Sequence, residues 1–159
     1  PAALRDLLES FERGEDMLQL HLGTWHDLQK LASPLRSEVF VEEQEVPAEM
    51  EWDADDATAL HCVALNRMGL PLATGRLLTH APGVGRIGRM AVKKQMRGSA
   101  LGRRVLTALM DAARERGDQR VVLHAQCSAE GFYRHAGFVP QGEVFEEAGI
   151  AHIEMARDF

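Results

Sequence analysis

The sequence predicts a single α+β domain with one mixed sheet and helices on both of its faces. A length of 159 residues, of which 45% are hydrophobic, suits one domain with an ordinary core. Segments that alternate polar and apolar residues predict strands, and they are interleaved with segments of helical periodicity. The order along the chain is strand, helix, three strands, helix, strand, helix and two strands, which favours helices on both sides of a sheet.

The first sixteen residues predict a helical extension ahead of the domain. Apolar side chains recur there at helical spacing before Gly14: Leu4, Leu7, Leu8 and Phe11. We therefore divide the chain into an extension over residues 1–16 and a domain over residues 17–159. The apolar face of the extension is expected to cover either its own domain or a second subunit, and the second case would make a homodimer.

The domain opens with a strand and a helix. Residues 17–25 alternate polar and apolar side chains, which predicts a half-buried strand. Asp27 is a typical helix start, as is Ser33 followed by Pro34, and a helix is predicted from residue 34 to about residue 41. This helix turns three apolar side chains inward: Leu35, Val39 and Phe40.

Three strands come next. Residues 61–65 and 72–78 are largely apolar and are separated by Gly69, which predicts a hairpin. After Pro82 and Gly83 a further strand is predicted over residues 85–92. The chain then enters a long amphipathic helix, predicted from near residue 97 to residue 117. The apolar face of that helix consists of Val105, Leu106, Leu109, Met110 and Ala113.

The last third of the chain adds a strand, a short helix and two more strands. Residues 120–125 form a largely apolar run around His124, as in a strand covered on both sides, and His124 is expected to be structural. A helix is predicted from Ser128 to Gly137. The final two strands are predicted over residues 142–145 and 151–155, with a turn between them.

Composition argues against several functional classes. A net charge of −6 is unfavourable for general nucleic-acid binding. The apolar runs are too short to span a bilayer, and the N-terminus lacks the pattern of a signal peptide, so we expect a cytoplasmic protein with no membrane partner. Cys62 and Cys127 form no C-x-x-C pair, and they are expected to be small buried side chains rather than a disulfide or zinc ligands.

The acidic residues between positions 38 and 56 do not predict a metal site. Glu51, Asp53, Asp55 and Asp56 lack the later glycine and glutamate of a calcium loop. We interpret them as a solvated acidic loop, with the further hypothesis that the loop attracts a cationic amine.

A strand that breaks into a small-residue loop and then a helix predicts an anion site at residues 92–102. The first N–H groups of a helix have no backbone partner, the helix dipole adds positive charge, and Gly98 allows close approach of a phosphate. The segment has neither the Gly-Lys-Ser/Thr of a Walker A loop nor the G-x-G-x-x-G spacing of a dinucleotide fold. A turn in which the glycine serves packing alone is the alternative.

Basic residues concentrate in the same part of the chain, which favours an anionic ligand there. The alternative is that they form an ordinary solvated surface. They are Arg86, Arg89, Lys93, Lys94, Arg97, Arg103 and Arg104.

Two segments together resemble the GNAT acyltransferase superfamily. Residues 95–100, Gln-Met-Arg-Gly-Ser-Ala, match its Q/R-x-x-G-x-G/A loop, and residues 129–138 match its A-x-x-F-Y-x-x-x-G-F segment. The resemblance covers roughly residues 17–159, and residues 39–44 with residues 145–152 resemble the ElaA-type branch. It implies a mostly antiparallel central sheet of six to seven strands with helices on both faces.

The resemblance implies acetyl-CoA as co-substrate and no metal. The backbone of Met90, Ala91 and Val92 would pair with the pantetheine arm as an added strand does. Arg103 or Lys94 would lie near the 3′-phosphate. Gln126 stands where an asparagine is common, and Ala100 replaces a glycine. The diphosphate would lie on Arg97, Gly98, Ser99, Ala100, Leu101 and Gly102.

The chemistry expected from the resemblance is direct attack of an amine on the thioester in a ternary complex. The amine belongs to a small molecule or a peptide and must first lose a proton. A strand N–H of Ala91 or Val92 could stabilise the oxyanion. By resemblance Tyr133 is the acid that protonates the departing thiolate, and the alternative is a core tyrosine whose hydroxyl is satisfied elsewhere.

The general base stays open at this stage. Glu43, His61 and His152 are ionisable candidates, and a water relay is the alternative. Two other functions also stay open. One is a non-catalytic sensor or partner protein that binds acyl-CoA, and the other is a nucleic-acid-binding module that uses the basic cluster.

Overall fold

The computed structural model describes residues 18–159, and a seven-stranded sheet dominates them. The predicted helix over residues 1–16 and Met17 at the start of the predicted first strand lie outside the described residues. The strands are Gln19–Gly23 (β1), Leu60–Leu65 (β2), Pro71–Ala81 (β3), Val84–Val92 (β4), Arg120–Gln126 (β5), Val139–Glu147 (β6) and Ile150–Asp158 (β7). Their order is β1-β2-β3-β4-β5-β7-β6, and only β4 and β5 run parallel.

In residues 18–159, four α-helices accompany the sheet: Trp25–Arg36 (α1), Ala48–Glu51 (α2), Leu101–Glu115 (α3) and Glu130–His135 (α4). Helix α3 packs on one face of the sheet, while α1 packs on the other. The predicted α+β class, the mostly antiparallel sheet and the helices on both faces are thus confirmed.

Helix α1 differs from its prediction because its start lies elsewhere and it does not stop at Pro34. Thr24 is the N-cap, and its Oγ1 accepts a hydrogen bond from the Asp27 N–H at 3.3 Å. The helix continues through Pro34 and passes directly into a π-helical segment, Ser37–Glu43. The prediction of a separate helix beginning at Pro34 was therefore wrong, because the backbone keeps its helical course on both sides of the proline.

The two faces of the sheet carry different cores because side chains alternate along each strand. Cys62 and Ala64 of β2 belong to the cluster under α3, whereas Val63 packs with Leu28 and Ala32 of α1. The approach of α3 is close. A Cβ added at Gly75 would lie 2.9 Å from Leu109 Cδ1 and 2.5 Å from Met90 Sδ.

The sheet splits between β4 and β5. Their parallel pairing runs only from Val84↔Arg120 to Ile87↔Leu123, after which β5 continues against β7 as far as Gln126↔His152. A bulge in β4 lies at the split, because β4 takes three steps from Gly88 to Ala91 where β3 takes two, from Arg76 to Thr74. Arg89 at this bulge has φ = 50°. Residues 88–92 of β4 thus diverge from β5 and open a wedge.

Buried ion pairs fix the acidic segment, so the interpretation of a solvated loop was wrong for two of its members. Asp56 is 0% exposed, and it accepts hydrogen bonds from Arg36 at 2.8 and 3.0 Å and from Arg76 at 2.8 Å. Glu51 is also buried and bonds the Arg36 Nε. Asp53 accepts from Arg76 at 2.7 Å. The guanidinium groups come from α1 and β3, and together these side chains form what we call the arginine–carboxylate network.

Candidate active site

A cleft of about 660 Å³ occupies the wedge between β4 and β5. Its walls come from the π-helical segment, β4, the loop before α3, β5, α4 and the turn between β6 and β7. The lining of this cleft includes ten of the site residues that the sequence suggested: Met90, Ala91, Val92, Arg97, Gly98, Ser99, Gly102, Gln126, Tyr133 and His152.

The other selected residues lie outside the lining. Leu101 is buried in the core under α3, and Arg103 is exposed and donates to the His135 carbonyl oxygen at 3.2 Å. Ala100 and Lys94 are exposed beside the loop. The remaining two are base candidates, Glu43 and His61.

The loop before α3 places unpaired N–H groups at one end of the cleft. The helix begins at Leu101 rather than near Arg97, because the chain turns at Gly98, where φ is 84°. Ala100 is the N-cap and has no side-chain oxygen, so no side chain caps the helix. The first ladder bond runs from the Arg104 N–H to the Ala100 carbonyl at 3.0 Å. The N–H groups of residues 101–103 precede it and suit an anion.

Arg97 is tied to Glu43 across the mouth of this loop. Its guanidinium bonds both carboxylate oxygens of Glu43, one of them at 2.7 Å, and also donates to the Val92 carbonyl at 3.1 and 3.2 Å. The hydrogen bond from Arg97 lowers the pKa of Glu43. Glu43 is therefore an ionised partner of a guanidinium, and this role makes it a poor proton acceptor.

Gln126 joins the two sides of the cleft. Its Nε2 donates to Gln44 Oε1 at 2.9 Å, which links the end of β5 to the residue after the π-helical segment. The amide at this position thus serves a cross-cleft bond.

Tyr133 lies deep in the cleft wall on α4. Its ring packs edge-on against Phe132 and Phe138, at centroid distances of 4.9 and 5.9 Å. The ring is 8% exposed, and within residues 18–159 the hydroxyl has no hydrogen-bond partner. Burial raises the pKa of Tyr133 to about 12. The hydroxyl is therefore protonated at neutral pH and free to donate.

His61 is removed from the cleft. It is 1% exposed, it packs against the Trp25 ring at 4.8 Å between centroids, and its Nε2 lies 2.9 Å from the Asp56 carbonyl oxygen. Burial lowers its pKa, so the imidazole is neutral. His61 is a packed residue behind the arginine–carboxylate network, and it does not lie with the other candidate site residues in the cleft.

His152 and His124 do line the cleft, and His124 was missed as a site residue. His124 alternates with Leu123 and Ala125, which belong to the core under α3, so its ring faces the opposite side of the sheet. His152 pairs with Gln126 across β5 and β7 and faces the same side. Alternation alone could have indicated this orientation of His124.

Comparison with known proteins identifies the family. Residues 26–159 match the model of the acetyltransferase (GNAT) domain. The chain belongs to the GNAT acetyltransferase family. The GNAT resemblance drawn from the two sequence segments is therefore confirmed, as is the enzyme class.

Two similar proteins each cover about four fifths of the chain. The Bacillus subtilis (strain 168) protein named "Uncharacterized N-acetyltransferase YjcF" is 36% identical over 125 residues, which are 78% of this chain and 88% of that protein. Protein ElaA of Escherichia coli (strain K12) is 36% identical over 131 residues, covering 78% of this chain and 83% of ElaA.

Two solved structures share the fold of this chain. The crystal structure of Escherichia coli ElaA has a TM-score of 0.80 at 29% identity, and the match covers 89% of this chain and all of that one, 100%. An acyl-CoA N-acyltransferase from Pseudomonas aeruginosa has a TM-score of 0.77 at 35% identity, with 88% of this chain and 99% of that chain covered. The ElaA-type resemblance is thus also confirmed.

The GNAT fold implies an acyl-CoA donor, and the described cleft has two features that suit one. The open edge of β4 offers backbone to an extended amide chain, and the uncapped start of α3 offers N–H groups to a diphosphate. Within residues 18–159, no group of three or more His, Cys, Asp or Glu side chains is placed to hold a metal ion. No helix in the described part of the chain is long and apolar enough to cross a membrane.

Proposed function

We propose that this GNAT acetyltransferase moves an acetyl group from acetyl-CoA to a primary amine by direct attack in a ternary complex. The observation that carries the proposal is the single cleft that contains both the free edge of β4 and the uncapped N-terminus of α3. An extended thioester with a charged diphosphate at its far end matches that arrangement.

The donor would lie along the cleft with its diphosphate at the loop. Residues 97–102 supply N–H groups, and Met90, Ala91 and Val92 supply the strand edge for pantetheine. The exposed side chains of Lys94 and Arg103 lie beside the loop and are proposed to contact the 3′-phosphate. Arg97 would exchange Glu43 for the diphosphate, because both partners compete for one guanidinium.

The acceptor ammonium gives one proton to a base, and its nitrogen lone pair forms a bond to the thioester carbonyl carbon. The carbonyl oxygen becomes an oxyanion, which an N–H of Ala91 or Val92 stabilises. The C–S bond breaks, the amide forms, and the thiolate of CoA accepts a proton. A second proton leaves the amide nitrogen, so the products are the N-acetyl amine, CoA thiol and one released proton.

Tyr133 is proposed to assist the departing thiolate. Its hydroxyl has no partner among the described residues, and it points from a wall of the cleft. Complete transfer from a phenol with a pKa of about 12 to a thiolate of ordinary pKa, ~8.5, is uphill by about 5 kcal/mol. Tyr133 therefore acts mainly by donating a hydrogen bond to the developing thiolate.

His152 is the best placed of the candidate bases. It lines the cleft, whereas His61 is packed under Trp25 and Glu43 is held by Arg97. The Ile150 carbonyl lies 2.7 Å from its Nδ1. A carbonyl only accepts, so Nδ1 carries the hydrogen, and the neutral ring presents the Nε2 lone pair.

Donor binding tests the proposal first. Titration calorimetry with acetyl-CoA should give micromolar affinity for the wild-type chain. Gly98→Ala tests the strain of a side chain at φ = 84°, and Gly98→Glu adds a negative charge to the same strain. A Cβ at Gly98 meets no atom within 4 Å, so neither variant clashes with the fold. We expect binding to be lost only in Gly98→Glu. Absence of binding to the wild type would overturn the proposal.

Turnover tests the catalytic roles. With a panel of primary amines as acceptors, Tyr133→Phe should lower kcat about a hundredfold and leave the acetyl-CoA affinity intact. His152→Asn should lower kcat, while His61→Asn should not. Unchanged turnover in Tyr133→Phe would refute its role. Donor binding without turnover on any amine would indicate a non-catalytic acyl-CoA sensor.

A further inference from the structure

Three side chains, those of Glu147, His124 and His152, converge on the cleft beside the turn between β6 and β7. Glu147 Oε2 lies 3.6 Å from His124 Nδ1 and 3.8 Å from His152 Nε2. Both separations exceed a normal hydrogen bond, and each brings a carboxylate oxygen towards a ring nitrogen. All three side chains line the cleft.

The tautomer of each ring follows from its other contact. Arg86 Nη2 lies 3.1 Å from His124 Nδ1, and because a guanidinium only donates, that Nδ1 carries a lone pair. The Ile150 carbonyl takes the Nδ1 hydrogen of His152, so its Nε2 carries the lone pair. In the neutral rings, both nitrogens that face Glu147 therefore carry lone pairs. The Arg86 N–H occupies the lone pair of His124, so among the described residues Glu147 and the Nε2 of His152 are the two acceptors left without a donor.

This pair of acceptors lacks a donor with several N–H groups. We propose that it is the subsite for the acceptor's primary ammonium, with Glu147 and His152 as its two hydrogen-bond acceptors and the ring of His124, held by Arg86, as its wall. This inference rests on the proposed function, in which His152 takes the proton of the amine. An ammonium supplies three N–H donors and one positive charge, whereas a hydroxyl supplies one donor and no charge.

The charge balance around the subsite also favours a cation. Glu147 and Glu154 are two carboxylates, and Glu154 Oε1 lies 3.6 Å from His124 Nε2. Arg86 is the opposing cation. With neutral imidazoles the group therefore carries one net negative charge. The acidic segment of residues 51–56 is a weaker attractant, because Arg36, Arg76 and Arg89 neutralise Glu51, Asp53 and Asp56.

Packing holds the acceptors in place. The Phe145 ring lies edge-on to His124 at 5.0 Å and stacked with His152 at 6.0 Å between centroids. Glu147 is the last residue of β6, paired with Ile150, and the turn between them is closed by two residues with positive φ, Ala148 and Gly149. A short hairpin therefore sets the position of the Glu147 backbone beside the two rings.

The experiment follows the histidine ring signals of the CoA-saturated protein by NMR. The probe is n-butylammonium chloride, and the matched cation without N–H groups is n-butyltrimethylammonium chloride. We expect saturable shifts of the His124 and His152 signals with n-butylammonium below about 50 mM, which covers weak millimolar sites. The trimethylated cation should shift them at least tenfold more weakly.

Two variants with the same loss of charge localise the effect. Glu147→Gln should weaken n-butylammonium binding about fivefold, as expected for one partly exposed charge-assisted bond. Glu146→Gln is the control, since its side chain alternates to the other face of β6 and the residue is exposed. It should bind the probe as the wild type does.

The outcomes are decisive for this subsite. Equal responses to the two cations, no response to either, or equal binding by the two glutamine variants would each overturn it. Acetyl-CoA titration of the same samples separates this result from the proposed function. A protein that binds acetyl-CoA and ignores n-butylammonium loses the subsite alone, whereas one that fails to bind acetyl-CoA loses the proposed function.

Discussion

Replacing Asp56 by asparagine should weaken the fold more than any other single loss of charge in the acidic segment. Asp56 is fully buried, and it bonds two guanidinium groups, those of Arg36 and Arg76. Removing one partner of a buried ion pair costs about 3–5 kcal/mol. Here each arginine keeps one other carboxylate, Glu51 or Asp53, so we expect the lower end, about 3 kcal/mol.

The assay is urea unfolding followed by tryptophan fluorescence. With an m-value of about 2 kcal/mol/M, the midpoint should fall by about 1.5 M. Asp55→Asn is the matched control, because Asp55 is the exposed neighbour of Asp56, and its midpoint should stay within about 0.3 M of the wild type. Equal midpoints for the two variants would refute the view that the network stabilises the fold.

The pH dependence of the same difference has a defined sign. Burial alone would raise the pKa of Asp56, but the hydrogen bonds and charges of Arg36 and Arg76 outweigh it, and the pKa is lowered. The stabilisation is therefore complete above the unfolded pKa, about 3.9, and is lost as the pH falls below it. The gap between wild type and Asp56→Asn should stay constant from pH 7 to about pH 5 and shrink below about pH 4.

Three further outcomes are expected. Glu43→Gln should tighten acetyl-CoA binding about threefold at low salt, because Arg97 is released, and the gain should vanish at high salt; weaker binding would contradict this. Iodoacetamide should label Cys127 in the native protein and Cys62 only after unfolding, since Cys62 is 0% exposed and burial raises its pKa to about 12; mass spectrometry of peptides distinguishes the sites. Ala148→Asn should raise Tm by about 2 °C, because asparagine tolerates the φ of 53° better than alanine does; a lower Tm would argue against strain at this turn.

The parts of the fold with strong periodicity could be predicted from the sequence. The apolar positions of α3, from Val105 to Ala113, are the residues buried on the sheet. The loop at Gly98 was located because a strand, a small-residue turn and a helix occur in succession there. Helix α1 was divided wrongly, since neither the capping role of Thr24 nor the tolerance of Pro34 can be judged from propensity.

The parts that depend on distant partners could not be predicted. Asp56 lies 20 residues from both Arg36 and Arg76 along the chain, so an acidic run appears solvated until the sheet brings the arginines to it. For the same reason, the sequence could not show which of the candidate bases lies in the cleft. Only the packing of His61 under Trp25, and the alignment of His152 with Gln126 across two strands, separates them.

The short parallel seam between β4 and β5 has a consequence for how the protein could be divided. Sheet order places β1 to β4 on one side of the seam and β5 to β7 on the other, and the chain passes from one side to the other once, through α3 and the turn at Gly117. Only four residue pairs join the sides along the ladder. Two separately expressed fragments divided at Gly117 should therefore reassemble as a split enzyme. Acetyl-CoA, which would touch both fragments, should tighten that reassembly by mass action.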